Sequence, residues 1–336
     1  MYINQKQIAE KAGVSCATVS RAFTNSAKVG PETMQKIRRA MEELGLGNLP
    51  PSISEAAAPE QVLIVVNHVY DEYYSRAIAG ICARLQKAGM LAVLCSSEDD
   101  EAVCLQHLEY AKSRAFAGVI IITIPETPKI LGLLQKYPLP IVQINRHIRT
   151  LTLDYVGVDG FRGGYLAAQH LIENGHRRIA YLAGPKESSS VRERLNGFRA
   201  AMSDYDLPFS DDQVFWGDNS RECGHVFADR FFGVENDYTA LFSSSNTMAV
   251  AVMSRLHQLG YRVPDDVSLI AFDDTPLASD GSAAFATVGY SPVLLGEAAA
   301  DSLLRRIENP RGEKANVIFA PRLTPRPSVR KLNADA

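Results

Sequence analysis

Nine side chains in this sequence have the types and positions needed to hold a polyhydroxylated small molecule: Tyr73, Tyr74, Asn145, Arg146, Arg194, Asn219, Ser245, Asn246 and Asp273. A carboxylate can accept two hydroxyl protons, an arginine fork can bridge neighbouring oxygens, amides both donate and accept, and an aromatic face covers the apolar side of a sugar ring. Most of the nine stand where a strand pattern gives way to a loop. Asn145 and Arg146 follow an apolar run ending at Ile144, Ser245 and Asn246 follow one ending near Phe242, and Asp273 follows Phe272. Arg194 falls near the start of a helical stretch after Gly184, and Tyr73 and Tyr74 come after the first strand.

A second group has the chemistry of a DNA groove. Cys16, Ala17, Thr18, Ser20 and Arg21 fall on the outward side of a short helix whose inward side is Val19 and Ala22, with Ser15 as its N-cap. Thr18 and Ser20 suit phosphate oxygens, Arg21 a guanine edge or a phosphate, and Cys16 and Ala17 an apolar contact to a thymine methyl. Lys28 adds charge just beyond. Residues 1–49 carry seven basic against four acidic side chains, a surplus of three, and the whole chain is at −3, so the remainder stands at −6. A basic module on an acidic body keeps attraction to DNA local.

These groups require particular elements to carry them. Residues 5–12 have apolar positions at Ile8, Ala9 and Ala12, Gly13 supplies a C-cap, and the second helix runs from Ser15 to about Phe23. A third helix starts at Pro31 with Met34, Ile37, Met41 and Leu44 on one stripe. Three short helices with a tight turn make a helix-turn-helix, although a packing module without DNA contact has the same pattern. Further on, strand patterns at 62–66, 91–95, 118–123, 141–144, 155–158, 179–182, 239–242 and 267–272 alternate with helical patterns such as 75–88, 160–173, 192–202, 246–258 and 292–307. That alternation predicts parallel sheets with helices on both faces, and its length predicts two lobes. Ligands of such sheets bind beyond the carboxyl ends of the strands, which puts a site between the lobes.

Other chemistries find little support. The five cysteines are scattered with no CxxC pair, which points to reduced thiols and neither a disulfide framework nor a metal site. Apolar residues make up 46% and charged residues 22% of 336, an ordinary globular balance. The polar N-terminus is unlike a secretion signal, and the longest apolar runs are strand-sized, so a cytoplasmic chain with no membrane partner is expected. No nucleophile elbow, P-loop, zinc-protease motif or His/Cys cluster occurs, and Asp273 and Asp274, adjacent in a strand-exit turn, point apart. No catalytic residue, metal or cofactor is expected. The rival readings are a small-molecule enzyme and a sugar-binding protein of the same fold without DNA regulation.

The segment IAEKAGVSCATVSRAF followed by VGPETMQKIRRAMEELG resembles the DNA-binding domain of the lactose-repressor/galactose-repressor (LacI/GalR) family. The resemblance implies that Cys16, Ala17 and Arg21 read bases. It also implies a hinge helix whose apolar wedge enters the minor groove. Here the chain departs from the pattern, with Glu55 at the wedge position and Leu49 or Ile53 as the available substitutes. The segment VGVDGFRGGYLAAQHLIENGHRRIAYLAGP matches a second family signature, in which Asp159 and His176 are structural. Its glycines do not have dinucleotide-loop spacing. The family likeness extends over nearly the whole chain. It implies an all-α helix-turn-helix domain plus an α/β periplasmic-binding-protein-like core of two doubly wound parallel-sheet lobes.

The expected boundaries are 1–48 for the DNA reader, 49–60 for the linker and 61–336 for the effector-binding and dimerisation core. Within the core, lobe 1 takes about 61–158 and 291–320, and lobe 2 about 159–290 and 321–330. Family effector contacts carry over onto Arg194 and Asp273, with an ion pair between the lobes as the alternative role for that couple. Asn145 and the Ser245-Asn246 pair stand where relatives have more acidic residues, so a different hydroxyl pattern is expected. The partners implied are double-stranded operator DNA, a sugar or sugar-derivative effector, and a second copy of the chain, since a two-fold operator needs a two-fold protein. The tail has two prolines and no heptads, which disfavours a coiled-coil tetramer.

Overall fold

A computed structural model describes residues 5–24, 29–44, 60–69, 71–233, 237–279 and 284–332. The chain divides into two compact units, residues 1–60 and 61–336. Lys28, Leu49 and Ile53 lie outside the described residues, as does the linker pattern around Glu55.

The first unit holds α1 (Gln5–Ala12), α2 (Cys16–Thr24) and α3 (Pro31–Glu43). Ile8, Ala9, Ala12, Val19, Ala22, Ile37, Ala40 and Met41 form its core, with Met34 and Leu44 packed at the margin. The α1–α2 turn is tight because Gly13 takes a φ of +66°, which lets Val14 N–H donate to the Ala9 carbonyl at 3.0 Å. Ser15 then caps α2, its Oγ accepting from Thr18 N–H at 3.1 Å.

The second unit begins with β1 (Gln61–Val66), α4 (Glu72–Lys87), β2 (Leu91–Ser96), α5 (Glu101–Ser113), β3 (Gly118–Ile121), α6 (Pro128–Gln135), β4 (Ile141–Ile144) and β5 (Asp154–Val158). It continues with α7 (Gly160–Glu173), β6 (Ile179–Ala183), α8 (Ser189–Asp204), β7 (Val214–Trp216), α9 (Arg221–Phe232), β8 (Ala240–Ser243), α10 (Asn246–Gln258), β9 (Ser268–Phe272) and β10 (Ala286–Gly289). It closes with α11 (Pro292–Glu308), β11 (Asn316–Phe319) and β12 (Arg322–Thr324). Two six-stranded sheets result, ordered β11-β5-β4-β3-β1-β2 and β12-β10-β9-β8-β6-β7. All pairings are parallel except β10 with β12. Each sheet is covered by apolar clusters on both faces, so its central strands read as continuous buried runs. The chain passes between the lobes after β5, after β10 and after β11. At the second passage Tyr290 stacks on Phe319 at 4.5 Å. Among the described residues, no helix is long and apolar enough to cross a membrane.

Three differences from the sequence reading bear on the site. Helix α4 starts at Glu72, three residues earlier than its apolar periodicity suggests, because Asp71 caps it by accepting from Tyr73 N–H at 2.8 Å. Tyr73 and Tyr74 therefore lie in a first helical turn and not in a loop. Helix α8 likewise starts at Ser189, which puts Arg194 in its second turn. Strands β7, β10, β11 and β12 are three or four residues long, too short to carry a legible alternation.

Candidate functional site

Between the lobes lies a cavity of about 510 Å³. All nine residues singled out for polyol recognition line it: Tyr73, Tyr74, Asn145 and Arg146 from the first lobe, and Arg194, Asn219, Ser245, Asn246 and Asp273 from the second. The volume is that of a small-molecule site.

Strand exits supply much of this wall through strained backbone. Asn145 (φ +69°), Asn219 (φ +68°), Asp273 (φ +79°) and the further lining residue Asp99 (φ +57°) are all left-handed, a conformation that asparagine and aspartate tolerate better than most residues. At Asn145 and Asp273, each the first residue after its strand, it turns the side chain out of the sheet direction where the loop begins.

Arg194 is nearly buried at 7% exposure. It donates from Nη1 to the Ser244 carbonyl at 2.9 Å and lies over the Phe272 ring with Cζ 3.7 Å from the centroid. Two glycines of the VDGFRGG segment create this seat. A Cβ on Gly164 would collide with the Arg194 carbonyl oxygen, and one on Gly163 with the Phe272 ring. The glycines that superficially resemble a phosphate loop thus form the seam through which α7 meets α8 and β9. Arg194 and Asp273 both belong to the second lobe, so the two do not pair with each other across the cleft.

Asp273 projects into the cleft, and burial raises its pKa to about 7, with the Arg194 guanidinium pulling down and Asp71 pushing up. Its neighbour Asp274 points away and is held by Arg326 at 2.7 Å, Thr287 at 2.8 Å and Thr324 at 3.1 Å. The two adjacent carboxylates are separated, as a strand-exit turn requires. Asn246 donates from Nδ2 to the Asp273 carbonyl at 2.8 Å and to Thr275 Oγ1 at 3.0 Å, while Ser245 caps α10. Tyr73 is mostly sunk in the first lobe's core, edge-on to the half-buried Tyr74, so the aromatic surface offered to the cleft is smaller than two free rings.

Several lining residues escape the sequence reading. Asn67 leaves β1 and Asp218 leaves β7, so the same strand-exit rule applies to both. Glu72 accepts across the cleft from Thr275 Oγ1 at 2.5 Å and from Leu277 N–H at 3.1 Å. On another side, Arg149 pairs with Glu193 at 2.6 Å and His147 N–H donates to Ser189 Oγ at 3.0 Å, again lobe to lobe. Of six buried side-chain polar atoms without a protein partner among the described residues, four belong to the lining: Asn67 Oδ1, Arg194 Nε, Ser244 Oγ and Asn246 Oδ1. Buried polar atoms are rarely left so, and a bound polar molecule would satisfy them.

Outside the cleft, His176 is fully buried, with Nδ1 at 2.9 Å from Thr239 Oγ1 and Nε2 at 3.2 Å from the Arg330 carbonyl, and burial lowers its pKa to about 4. Asp159 caps α7 by accepting from Arg162 N–H at 2.8 Å. Both are structural. Among the described residues, no group of three or more His, Cys, Asp or Glu could hold a metal ion.

In the first unit, Ser15, Cys16, Ala17 and Arg21 are exposed and Thr18 and Ser20 partly so, while Val19 and Ala22 are buried. The six form one outward surface at the start of α2. Ser15 Oγ and Thr18 Oγ1 lie 2.8 Å apart, so Thr18 is oriented by the cap.

Residues 5–46 match the family described as bacterial regulatory proteins, lacI family, and residues 168–329 match the periplasmic binding protein-like domain. Over 332 residues the chain is 29% identical to the HTH-type transcriptional repressor PurR of Vibrio parahaemolyticus serotype O3:K6, an alignment covering 98% of this chain and 99% of that one. Its fold is similar to the transcriptional regulator CelR in complex with cellobiose, with a TM-score of 0.74 and 26% identity over 97% of this chain and 100% of that one. It is also similar to a LacI family transcriptional regulator from Enterococcus faecium with bound ribose, with a TM-score of 0.74 and 25% identity over 82% of this chain and 100% of the other.

Proposed function

Starting from the chain's place among the lacI-family bacterial regulatory proteins, we propose that it represses carbohydrate-utilisation genes by binding operator DNA, under control of a sugar or sugar derivative held between its two lobes. The observation that carries this reading is the coexistence in one chain of a helix-turn-helix with an outward polar face on α2 and an interlobe cavity whose buried polar atoms lack protein partners.

On this reading the start of α2 enters the major groove, with Arg21, Cys16 and Ala17 at base edges and Ser15, Thr18, Ser20 and Lys28 on phosphates. Leu49 or Ile53 serves as the minor-groove contact of the linker. The nine cleft residues hold the effector: Asp273 and Arg194 bind hydroxyl pairs, Asn145, Asn219, Ser245 and Asn246 complete the polar ring, Arg146 and Tyr74 close one side and Tyr73 backs them. Ligand alters the angle between the lobes, and in a homodimer this changes how two DNA readers address a two-fold operator. The domains act with the boundaries expected above, 1–48, 49–60 and 61–336. The protein works in the cytoplasm as a binding protein and not as an enzyme. The sugar complexes of CelR and of the E. faecium regulator support the ligand class.

A footprint on duplex DNA flanking the protein's own gene, combined with sedimentation, tests this directly. The expected result is protection of a two-fold site by a species of twice the chain mass, weakening steeply with salt as phosphate contacts release counterions. A monomer that protects nothing at low salt would overturn it.

A further inference from the structure

We propose that the ligand of this cleft carries no phosphate or carboxylate and is a neutral or amine-bearing sugar, a net donor of hydrogen bonds. The inference rests on the cleft being the effector site.

Charge is the first argument. Six carboxylates line the cavity (Asp71, Glu72, Asp99, Glu187, Asp218 and Asp273) against two guanidiniums, Arg146 and Arg194. Glu72 is paired with Arg76, and burial favours the protonated form of Asp71 and Asp273, yet Asp99, Glu187 and Asp218 by themselves outnumber the two cations. His68 does not redress the balance, because its ring nitrogens lie 3.2 Å from Glu98 Oε2 and 3.1 Å from Asp99 Oδ2 and already face two acidic groups. Arg194 is committed too, to the Ser244 carbonyl, to the Phe272 ring and to the field of Asp273. An anionic ligand group would meet more repulsion than attraction at short range, where screening is weakest.

Hydrogen-bond polarity gives the same answer independently. Among the four such atoms of the lining, Asn67 Oδ1 and Asn246 Oδ1 only accept, Ser244 Oγ does either, and Arg194 Nε is the one obligate donor. The orientation of Asn246 is set by the two acceptors its Nδ2 serves. With the surrounding carboxylates, the wall therefore offers acceptors and asks for donors. Hydroxyl and ammonium groups donate, whereas ionised phosphate and carboxylate oxygens only accept.

Phosphate in α/β folds is usually held at open helix N-termini. Here α4 is closed by its own carboxylate, since Asp71 takes Tyr73 N–H and Glu72 follows in the first turn. Helix α10 is closed by Ser245, which accepts from Met248 N–H. Helix α8, whose N-cap Ser188 makes no such bond, has the acidic Glu187 just before it.

The test uses the full chain at low salt and matched ligand pairs: glucose, glucosamine, glucose 6-phosphate and gluconate; ribose and ribose 5-phosphate; and cellobiose. Thermal unfolding and calorimetry read the binding. At least one neutral or amine-bearing sugar is expected to raise Tm and to bind roughly a hundredfold or more tighter than its phosphate or acid counterpart. In the Asp99→Asn/Asp218→Asn double variant that gap should shrink by about tenfold as repelling charge is removed. A phosphate or acid binding as tightly as its parent, an unchanged gap in the double variant, or no response to any neutral or amine-bearing sugar would overturn the inference. A sugar response that survives Asp273→Ala tells instead against the cleft as the effector site, and so removes the premise and not the charge argument.

Discussion

The Glu72 carboxylate at the start of α4 accepts from Thr275 Oγ1 at 2.5 Å, joining the first lobe to the second beside the cavity. Glu72 also holds Arg76 at 2.9 Å, so the side chain is fixed from its own helix as well as from across the cleft. An interlobe contact of this kind is where ligand binding and lobe angle would be coupled.

Glu72→Ala should therefore weaken sugar binding by about tenfold, because a hydrogen bond to a charged group contributes roughly 1.5 kcal/mol. Glu72→Gln should recover part of it. Burial pushes the Glu72 pKa up, but bonds from Thr275 and Arg76 outweigh burial and leave it below the usual glutamate value. The latch is thus intact at neutral pH and is lost only as pH falls through that lowered value. Calorimetry on the three proteins at neutral and mildly acidic pH checks both statements.

Asp273 behaves in the opposite sense. Its folded pKa of about 7 lies above its ordinary value of 3.8, so the folded state holds a proton that the unfolded state releases, and stability falls as pH rises between those two points. Asp273→Asn should be less pH-sensitive over that range and should gain on the wild type as pH rises toward 8. Since hydroxyl donors favour the ionised carboxylate, sugar affinity of the wild type should rise with pH across about 7. Urea unfolding and calorimetry over that range read the two effects, and a flat wild-type profile would contradict both.

Gly164→Ala inserts a methyl against the Arg194 carbonyl in the α7–α8 seam. Overpacking of this kind costs about 1–3 kcal/mol, and here it also moves the guanidinium off Phe272. We expect a Tm lowered by several degrees together with a loss of sugar affinity. By contrast, Gly132→Ala on α6, with open space around it, should leave binding unchanged.

Arg21→Ala should lower duplex affinity by roughly ten- to a hundredfold, the effect of losing about 1–3 kcal/mol at one base edge. Ile8, Val19 and the rest of that unit's core are untouched by the change, so its far-UV circular dichroism should not alter. An unchanged footprint would exclude Arg21 from the reading surface.

Much of this site is legible in the sequence because parallel strands are buried on both faces and end abruptly, so that Asn145 after Ile144 and Asp273 after Phe272 can be placed by counting apolar residues. The α1–α2 turn is legible for a similar local reason, the glycine that must adopt positive φ. What escapes is non-local or short. Glu72 matters through Thr275 and Leu277, which are 203 and 205 residues away. Asp218 is hidden because β7 has just three residues. Gly163 and Gly164 gain their meaning from Phe272 and Arg194, partners that no spacing rule within α7 identifies.

The most direct test of the account is fluorescence anisotropy of an operator-length duplex from beside the protein's own gene, titrated with the full chain in the presence and absence of a sugar that raises its Tm. The account predicts at least about a tenfold change in duplex affinity on adding the sugar to the wild type, and none for Asp273→Ala. Equal affinities with and without bound sugar in the wild type would contradict it.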